Sequence, residues 1–275
     1  YKHSKSSINF EIIVVDNNSR DGSVNELKKE FPKINLIEND FNYGFSLAAN
    51  QGAKICTGEF LLILNPDTLF VEDSLNKLYE YAKNKSKLGA IGPAIISEDG
   101  SFQQSFWRDP SIINTFFSIT HLDYFNFRKN YKNRKISNPT KVDTISGGVF
   151  FLKRKVFRKL GGFNGDLFWM EDIDFCVRLR RLDYSVNYFP LTKIIHFIGK
   201  SVETNYQVAI SNQLISKIKY FKIHHSRLSS GIISFLILFV CLVKLSILTI
   251  LIPFSSLYRK KFVAYLYTFR RVVFK

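Results

Sequence analysis

Two short apolar runs that end abruptly in polar clusters constrain this chain more than any other feature. Phe10–Val15 (FEIIVV) leads straight into Asp16-Asn17-Asn18-Ser19, and Phe60–Leu64 (FLLIL) leads into Asn65-Pro66-Asp67. Unbroken β-branched and aliphatic runs of this length suit strands covered on both faces, as in parallel sheets. Ile34–Ile37 and Gly89–Ile96 read as further strands. The intervening segments 21–31, 45–56 and 72–84 read as helices, the first with Val24, Leu27 and Phe31 inward and with Ser23 or Asp21 as its cap. Strands alternating with helices over short loops predict an α/β fold: a mostly parallel sheet flanked by helices. Ligands of such sheets sit beyond the carboxyl ends of the strands, which is where both polar clusters fall.

Further along, 126–141 (NFRKNYKNRKISNPTK) is basic and polar and reads as a mobile loop. Ser146-Gly147-Gly148 precedes the apolar Val149–Leu152 and a Lys/Arg-rich helix to Leu160. Gly161-Gly162 predicts a turn, and 171–182 a helix with Ile173, Val177 and Leu179 inward.

The net charge of +16 is unevenly placed. Residues 1–125 carry 12 Lys/Arg against 16 Asp/Glu, 126–160 carry 11 against 1, and 193–275 carry 13 against 1. An anionic lipid surface and nucleic acid both suit such a distribution. No helix-turn-helix, RRM or zinc pattern accompanies it, so nucleic acid is not the expected partner. Membrane is, because Gly231–Ile252 is a 22-residue apolar run broken only by Lys244. That length matches a hydrocarbon core of about 30 Å. Lys244 at its centre costs about 2.5–3.5 kcal/mol on insertion scales, which a span tolerates. Bases flank both ends, so a span and an in-plane helix both fit. Aromatic residues of Phe254–Lys275 interleave with Arg259, Lys260, Lys261, Arg270 and Arg271, as suits a headgroup layer. The stretch Ile112–Phe127 is apolar enough for lipid or for a core helix. The expected division is a domain over 1–225 and a membrane-associated helix with a basic aromatic tail over 226–275. Three scattered cysteines, Cys56, Cys176 and Cys241, argue against a disulfide framework.

Three polar groups carry candidate chemistry. Asp16, directly after a buried strand, can accept a hydrogen bond from a base N–H. Asp67 can hold a divalent cation on a diphosphate, since hard cations take one or two carboxylates plus phosphate oxygens. Glu171-Asp172-Ile173-Asp174 places three carboxylates at a helix start, where acids also favour the helix dipole. Adjacent side chains on a helix point about 100° apart, so only one of Glu171 and Asp172 should face a substrate. Asp174 is placed to pair with Arg178 four residues on.

Four segments carry a resemblance: FEIIVVDNNSRDGS (10–23), NYGFSLAANQGAKICTGEFLLILNPDT (42–68), SGGVFFLKRKVFRKLGGFNGDLFWMEDIDFCVRLRR (146–181) and IIHFIGKS (194–201). In order and spacing they resemble the inverting family 2 glycosyltransferases of GT-A fold, most of all the rhamnosyltransferase-like branch that builds bacterial surface polysaccharides. The resemblance implies a nucleotide diphosphate sugar as donor and a lipid-linked saccharide as acceptor. It also implies a divalent cation, Mg2+ or Mn2+, as cofactor, and work on the cytoplasmic face of the bacterial inner membrane. Asp16 resembles the carboxylate that reads the base, with Asn18 and Ser19 in the same loop. Asn42, Gly44 and Asn50 resemble the segment closing around the donor. Asn65 and Asp67 stand where the family has its DxD motif, and His196 resembles a histidine that joins the metal or the diphosphate. Gly147, Gly148 and Trp169 fall on the acceptor side, and Asp172 resembles the catalytic base with Glu171 beside it.

Three features depart from the pattern. Asn65 replaces the first DxD carboxylate, and Ala49 stands where many relatives have Arg. The family's opening strand is expected to precede Tyr1, with Tyr1–Ser7 in the helix or loop after it. The alternatives are a nucleotidyltransferase, which would share the sheet and metal carboxylates, or a catalytically impaired membrane-tethered α/β protein.

Overall fold

A computed structural model describes residues 8–122, 136–197 and 206–274. Outside these lie the segment Tyr1–Ser7, the basic loop expected at 126–141 as far as residue 135, and the last four residues of the IIHFIGKS segment. In chain order the elements are β1 (Ile13–Asp16), α1 (Ser23–Glu30), β2 (Asn35–Glu38), α2 (Phe45–Ile55), β3 (Phe60–Leu64), β4 (Thr68–Phe70), α3 (Ser74–Ala82) and β5 (Leu88–Ile96). They continue as β6 (Phe102–Gln103), β7 (Phe106–Trp107), α4 (Ile112–Thr120), β8 (Thr140–Lys141), β9 (Thr144–Ile145), β10 (Val149–Lys153), α5 (Arg154–Lys159) and α6 (Glu171–Arg181). The last are β11 (Ser185–His196), α7 (Tyr206–His224), α8 (Arg227–Leu251) and α9 (Ser256–Val273). The described residues divide into two compact units, 8–107 with 136–166 and 171–197, and 108–122 with 167–170 and 206–274.

The first unit is the α/β body. β1 and β2 pair in parallel, Ile13 opposite Asn35 through Asp16 opposite Glu38. A seven-stranded sheet follows the order β3-β10-β5-β11-β4, with β6 on β5 and β8 on β11. The expectation of a mostly parallel sheet is corrected here. β5 and β11 pair in parallel, but β10 inserts antiparallel between β3 and β5, and β4, β6 and β8 are also antiparallel to their partners. A strand buried on both faces has the same apolar pattern in either direction, so Val149–Leu152 could not reveal its own reversal. Because β10 is antiparallel to both β3 and β5, the strands β3, β5 and β11 all run one way. Their carboxyl ends, and the amino end of β10, therefore lie along one edge of the sheet.

Leu78, Ala82, Leu88, Ile91, Phe151 and Phe189 form one buried cluster between α3 and the sheet. On α3, the four-residue spacing of Leu78 and Ala82 is the reason that face turns inward. Phe150, Phe157, Phe163 and Phe175 form another cluster, rings 5.2–5.8 Å apart, that clamps α5 and α6 to β10. On α6 the inward face is Asp174, Phe175, Cys176, Val177 and Leu179; Ile173, expected inward, is only half-buried. Gly22, at φ 84°, is the N-cap of α1 and has no capping side chain; Asp21 instead accepts hydrogen bonds from the Ser23 amide and hydroxyl.

The second unit is helical. α4 is capped by Ser111, α8 by Ser226 and α9 by Ser255, each hydroxyl accepting an amide N–H of the first turn. α8 packs against α4, α7 and α9. Ile233, Ile237, Val240, Cys241 and Leu248 of α8 are buried, while Phe235, Phe239, Leu242, Ile247 and Ile250 are exposed. Within the described residues, Arg227–Phe254 is the one helix long and apolar enough to cross a membrane, with a mean hydropathy of 2.9 over an 18-residue stretch. By contacts, α7 groups with α8 and α9 and not with the sheet. The role-based boundary expected at residue 225 therefore falls between α7 and α8.

Candidate active site

Asp16 ends β1, and its carboxylate accepts the Ser19 amide N–H (3.1 Å to Oδ2), closing a tight turn in which Asn18 takes a left-handed φ of 65°. An open polar cleft beside this turn is lined by Asp16, Asn18, Ser19, Arg20, Asn39 and Asp40. Next to Asp16, Asn17 donates to the Gly44 carbonyl (3.2 Å) and accepts from Asn39, which is paired in both directions with Gln51. Asn42 Oδ1 accepts the Gly44 N–H at 2.9 Å, so Asn42 and Gly44 form the turn into α2. The amides of Asn17, Asn39 and Gln51 hold this turn against β1; sequence reading missed all three.

Asn50 is turned toward Phe163. Its amide donates to the Phe163 carbonyl (2.8 Å) and accepts the Phe163 N–H (2.9 Å). One N–H and one lone pair of the Asn50 amide thus engage backbone, which leaves a second N–H and a second lone pair for the donor contact expected of it. Asn50 also braces the Gly161-Gly162 turn, where Gly162 has φ +78° and a Cβ would strike the Asn50 amide. Arg178 ties α6 to the same turn, donating to the Leu160 and Gly162 carbonyls at 2.8 and 2.9 Å, and pairs with Asp174 as its spacing predicts.

The sheet edge gathers the remaining candidates of the first unit. The Asn65 N–H donates to the Gly148 carbonyl (2.9 Å), so the β3 end and the glycine pair are joined. Gly147 donates its N–H to Asp172 Oδ2 at 2.9 Å, and the Ile173 N–H donates to Asp172 Oδ1 at 2.8 Å. A Cβ on Gly147 would make ordinary contacts, 3.4 Å from Asp172 Cβ and 3.6 Å from Phe45, so this approach does not by itself require glycine. Glu171 is different: its Oε2 is buried without a hydrogen-bond partner. Burial first, and the neighbouring Asp172 charge second, push the Glu171 carboxyl up to about 8. Burial also raises Asp172, opposed by the Gly147 and Ile173 amides. The two acids titrate as a pair, with amide donors favouring the charge on Asp172 and the proton on Glu171. Trp169 lies in the second unit, where its backbone N–H donates to Ser216 Oγ at 3.3 Å.

Asp67 and His196 are brought together. Asp67 Oδ1 sits 3.3 Å from His196 Nε2, yet it is buried and accepts no hydrogen bond. The partners of Gln103 explain this. Gln103 Nε2 donates to the His196 carbonyl (2.8 Å) and to Ser97 Oγ (3.0 Å), which leaves Gln103 Oε1 facing His196 Nδ1 at 3.1 Å. An amide oxygen only accepts, so Nδ1 carries the proton of the neutral ring and Nε2 presents a lone pair. Two acceptors then face one another, an arrangement that a cation between them would satisfy. Among the described residues no three His, Cys, Asp or Glu side chains form a metal-holding group. A carboxylate and an imidazole are too few ligands for a closed structural site and fit a divalent cation whose other ligands arrive as diphosphate oxygens.

At 24% identity over 201 residues, covering 67% of this chain and 66% of the relative, the chain is similar to the N-acetylglucosaminyl-diphospho-decaprenol L-rhamnosyltransferase of Mycobacterium tuberculosis. It is also 25% identical over 226 residues to the low-salt glycan biosynthesis hexosyltransferase Agl10 of Haloferax volcanii, covering 75% of this chain and 69% of that one. The chain thus spans about two thirds of the length of these relatives. Among solved structures, a mannosyltransferase of Pyrobaculum calidifontis in complex with GDP-Man and Mn2+ superposes with a TM-score of 0.52 at 16% identity, over 96% of this chain and 78% of that one. That likeness shows a shared fold. The model of the N-terminal domain of galactosyltransferase matches residues 129–200. The model of glycosyl transferase family 2 matches residues 3–161, more than half of the chain, and to that family the chain belongs.

Proposed function

We propose that this protein is an inverting glycosyltransferase that moves a sugar from a nucleotide diphosphate donor to a lipid-linked saccharide during surface polysaccharide synthesis. The observation that carries the reading is the pair of unlike carboxylate settings on one sheet edge. Asp67 is left unsatisfied opposite a bare imidazole nitrogen, and Asp172 is held by two amides. In this reading Asp16, Asn18 and Ser19 receive the base, Asn42 and Gly44 shape the donor loop, and Asn65 lies beside the diphosphate. Asp67 and His196 would hold Mg2+ or Mn2+, which when bound offsets the charge developing on the leaving nucleoside diphosphate. Asp172 accepts the proton of the attacking acceptor hydroxyl, each carboxylate oxygen keeping a lone pair beyond its amide bond. Glu171, protonated, keeps a second charge away from it. Gly147 and Gly148 let the acceptor approach the backbone. One displacement at the anomeric carbon inverts its configuration, so no covalent nucleophile is needed.

The Mycobacterium relative's name supports rhamnose as the donor sugar and a polyprenyl diphosphate glycan as the acceptor. The exposed apolar face of α8 and the bases of α9 support attachment of 226–275 to a membrane, with the catalytic domain 1–225 on the cytoplasmic face of a bacterial inner membrane. Nucleic acid has no part in this reading. The nucleotidyltransferase alternative lacks a supporting observation, and the impaired-protein alternative sits poorly with an intact Asp67, Asp172 and His196.

The deciding experiment offers full-length protein a panel of labelled nucleotide sugars with lipid-linked saccharides. Transfer with inversion and dependence on a divalent cation is expected; retention of configuration, or transfer unaffected by chelation, overturns the reading. Removing residues 226–275 would strip α7 of its packing partners, so attachment is better tested by changing exposed side chains. Replacing Phe235, Phe239 and Phe254 by Ser should move the protein to the soluble fraction while donor hydrolysis persists.

A further inference from the structure

We infer that Gln103 is a positioning residue of the cation site: it locks His196 in the Nδ1–H tautomer and thereby reserves Nε2, beside Asp67, for a divalent cation. The inference rests on the cation role proposed above for Asp67 and His196. It adds a residue that lies on neither side of the cation.

The assignment follows from which atoms can donate. β5 pairs with β11 on one side and with β6 on the other at Ile95 and Ile96, so Gln103 reaches across the carboxyl end of β5 to His196. A side-chain amide could be turned either way, but the His196 carbonyl only accepts, and the Gln103 atom 2.8 Å from it must be the nitrogen. The second N–H of that nitrogen goes to Ser97 Oγ at 3.0 Å. Gln103 Oε1 is then the atom facing His196 Nδ1, and it requires a proton there. Three hydrogen bonds thus set one tautomer. The backbone sets the Gln103 orientation, Gln103 sets the ring, and the ring presents its lone pair to Asp67 Oδ1 at 3.3 Å. Without Gln103 the imidazole could carry its proton on Nε2 and donate it to Asp67. That would consume both ligands in a single hydrogen bond. Partners behind a ligating histidine typically change metal affinity by about 10–100-fold when removed.

The test reads the tautomer directly. The protein is labelled with 15N-histidine, and His196 is identified among the 5 histidines by its loss in His196→Ala. In metal-free protein His196 should show the Nδ1–H pattern, and Gln103→Met, similar in size but without the acceptor, should show a mixture or the Nε2–H form. Mn2+ binding, followed by the paramagnetic resonance of free Mn2+ in the presence of a nucleoside diphosphate, should weaken about 10–100-fold in Gln103→Met. In a His196→Ala background the same change should add nothing. An Nε2–H ring in the parent protein overturns the inference without recourse to any variant. So does an additive loss in the double variant, which would mean that Gln103 acts on the fold. A parent that binds no Mn2+ sinks the cation reading itself; one that binds Mn2+ with the wrong tautomer sinks only the role of Gln103.

Discussion

Asp67 and Asp172 sit on the same sheet edge, yet the groups around their carboxylates differ in kind: Asp172 is buried, while Asp67 is partly exposed with only its Oδ1 shut away from water. Asp172 is surrounded by donors: the amides of Gly147 and Ile173 hold its two oxygens, and α6 begins at its feet. Asp67 faces an acceptor, and its Oδ1 has no hydrogen bond at all. The amide N–H groups favour the charged form of Asp172 against the burial that raises its carboxyl, so of the two neighbouring acids it is the one placed to take a proton from a substrate. A carboxylate that faces a lone pair is under-satisfied until a cation arrives. The residue type does not decide between base and ligand; the neighbouring donors do.

The largest expected effect breaks the first half of that contrast. Asp172→Asn keeps the shape of the side chain but removes the proton acceptor, and turnover should fall about 10²–10⁴-fold. Affinity for the nucleotide donor should stay within a few-fold, because Asp67 and the Asp16 turn are untouched. A matching loss of donor affinity would show that Asp172 serves binding as well.

Asp67→Ala tests the other half. It should weaken Mn2+-dependent donor binding by more than the about 10–100-fold typical of losing a partner behind a ligand, because it removes a ligand itself, while binding measured without divalent cation changes little. Calorimetric titration with a nucleoside diphosphate, with and without Mn2+, separates the two. Equal losses in both conditions would mean that Asp67 supports the loop and not a cation.

What the sequence made legible follows from how local each feature is. β3 runs from Phe60 to Leu64 as its apolar run indicated, and Asp174 meets Arg178 because four residues separate them on a helix. The Asp99-Gly100 turn between β5 and β6, with Gly100 at φ +80°, was also readable as a hairpin signal, though it was passed over. β11 was hidden because Pro190 and a register shift interrupt it and because polar residues dot its length. The partners of those polar groups are distant in sequence: Asn187 Nδ2 donates to the Tyr81 hydroxyl and Thr192 Oγ1 to Glu72. Asn50 and Gln103 show the same limit within the site. The amide of Asn50 meets a backbone 113 residues away, and Gln103 meets His196 across 93 residues. Asp67, Asp172 and His196 stood out because they belong to segments with a recognisable pattern. The residues that tune them carried no local signal.

The smallest expected effect on turnover concerns Glu171, and it sharpens the contrast between the acids. Burial and the Asp172 charge push its carboxyl up to about 8, so near pH 7 it is neutral and Gln is a close copy of its state. Glu171→Gln should therefore leave turnover at pH 7 within a few-fold, while Asp172→Asn abolishes most of it. Stability gives an independent reading, and its sign follows from proton counts. From the ordinary value of 4.5 up to about 8, the unfolded chain releases the Glu171 proton while the folded protein keeps it. The unfolded state then binds fewer protons, so rising pH costs the folded protein stability across that window. Gln has no proton to release and no such cost. The thermal midpoint of Glu171→Gln should thus gain steadily on the parent between pH 5 and pH 8.5, as measured by circular dichroism in the same detergent. A constant offset over that range would mean that Glu171 is not held protonated. If turnover at pH 7 instead fell to the level of Asp172→Asn, Glu171 would be the base and Asp172 the residue that fixes the Gly147 loop.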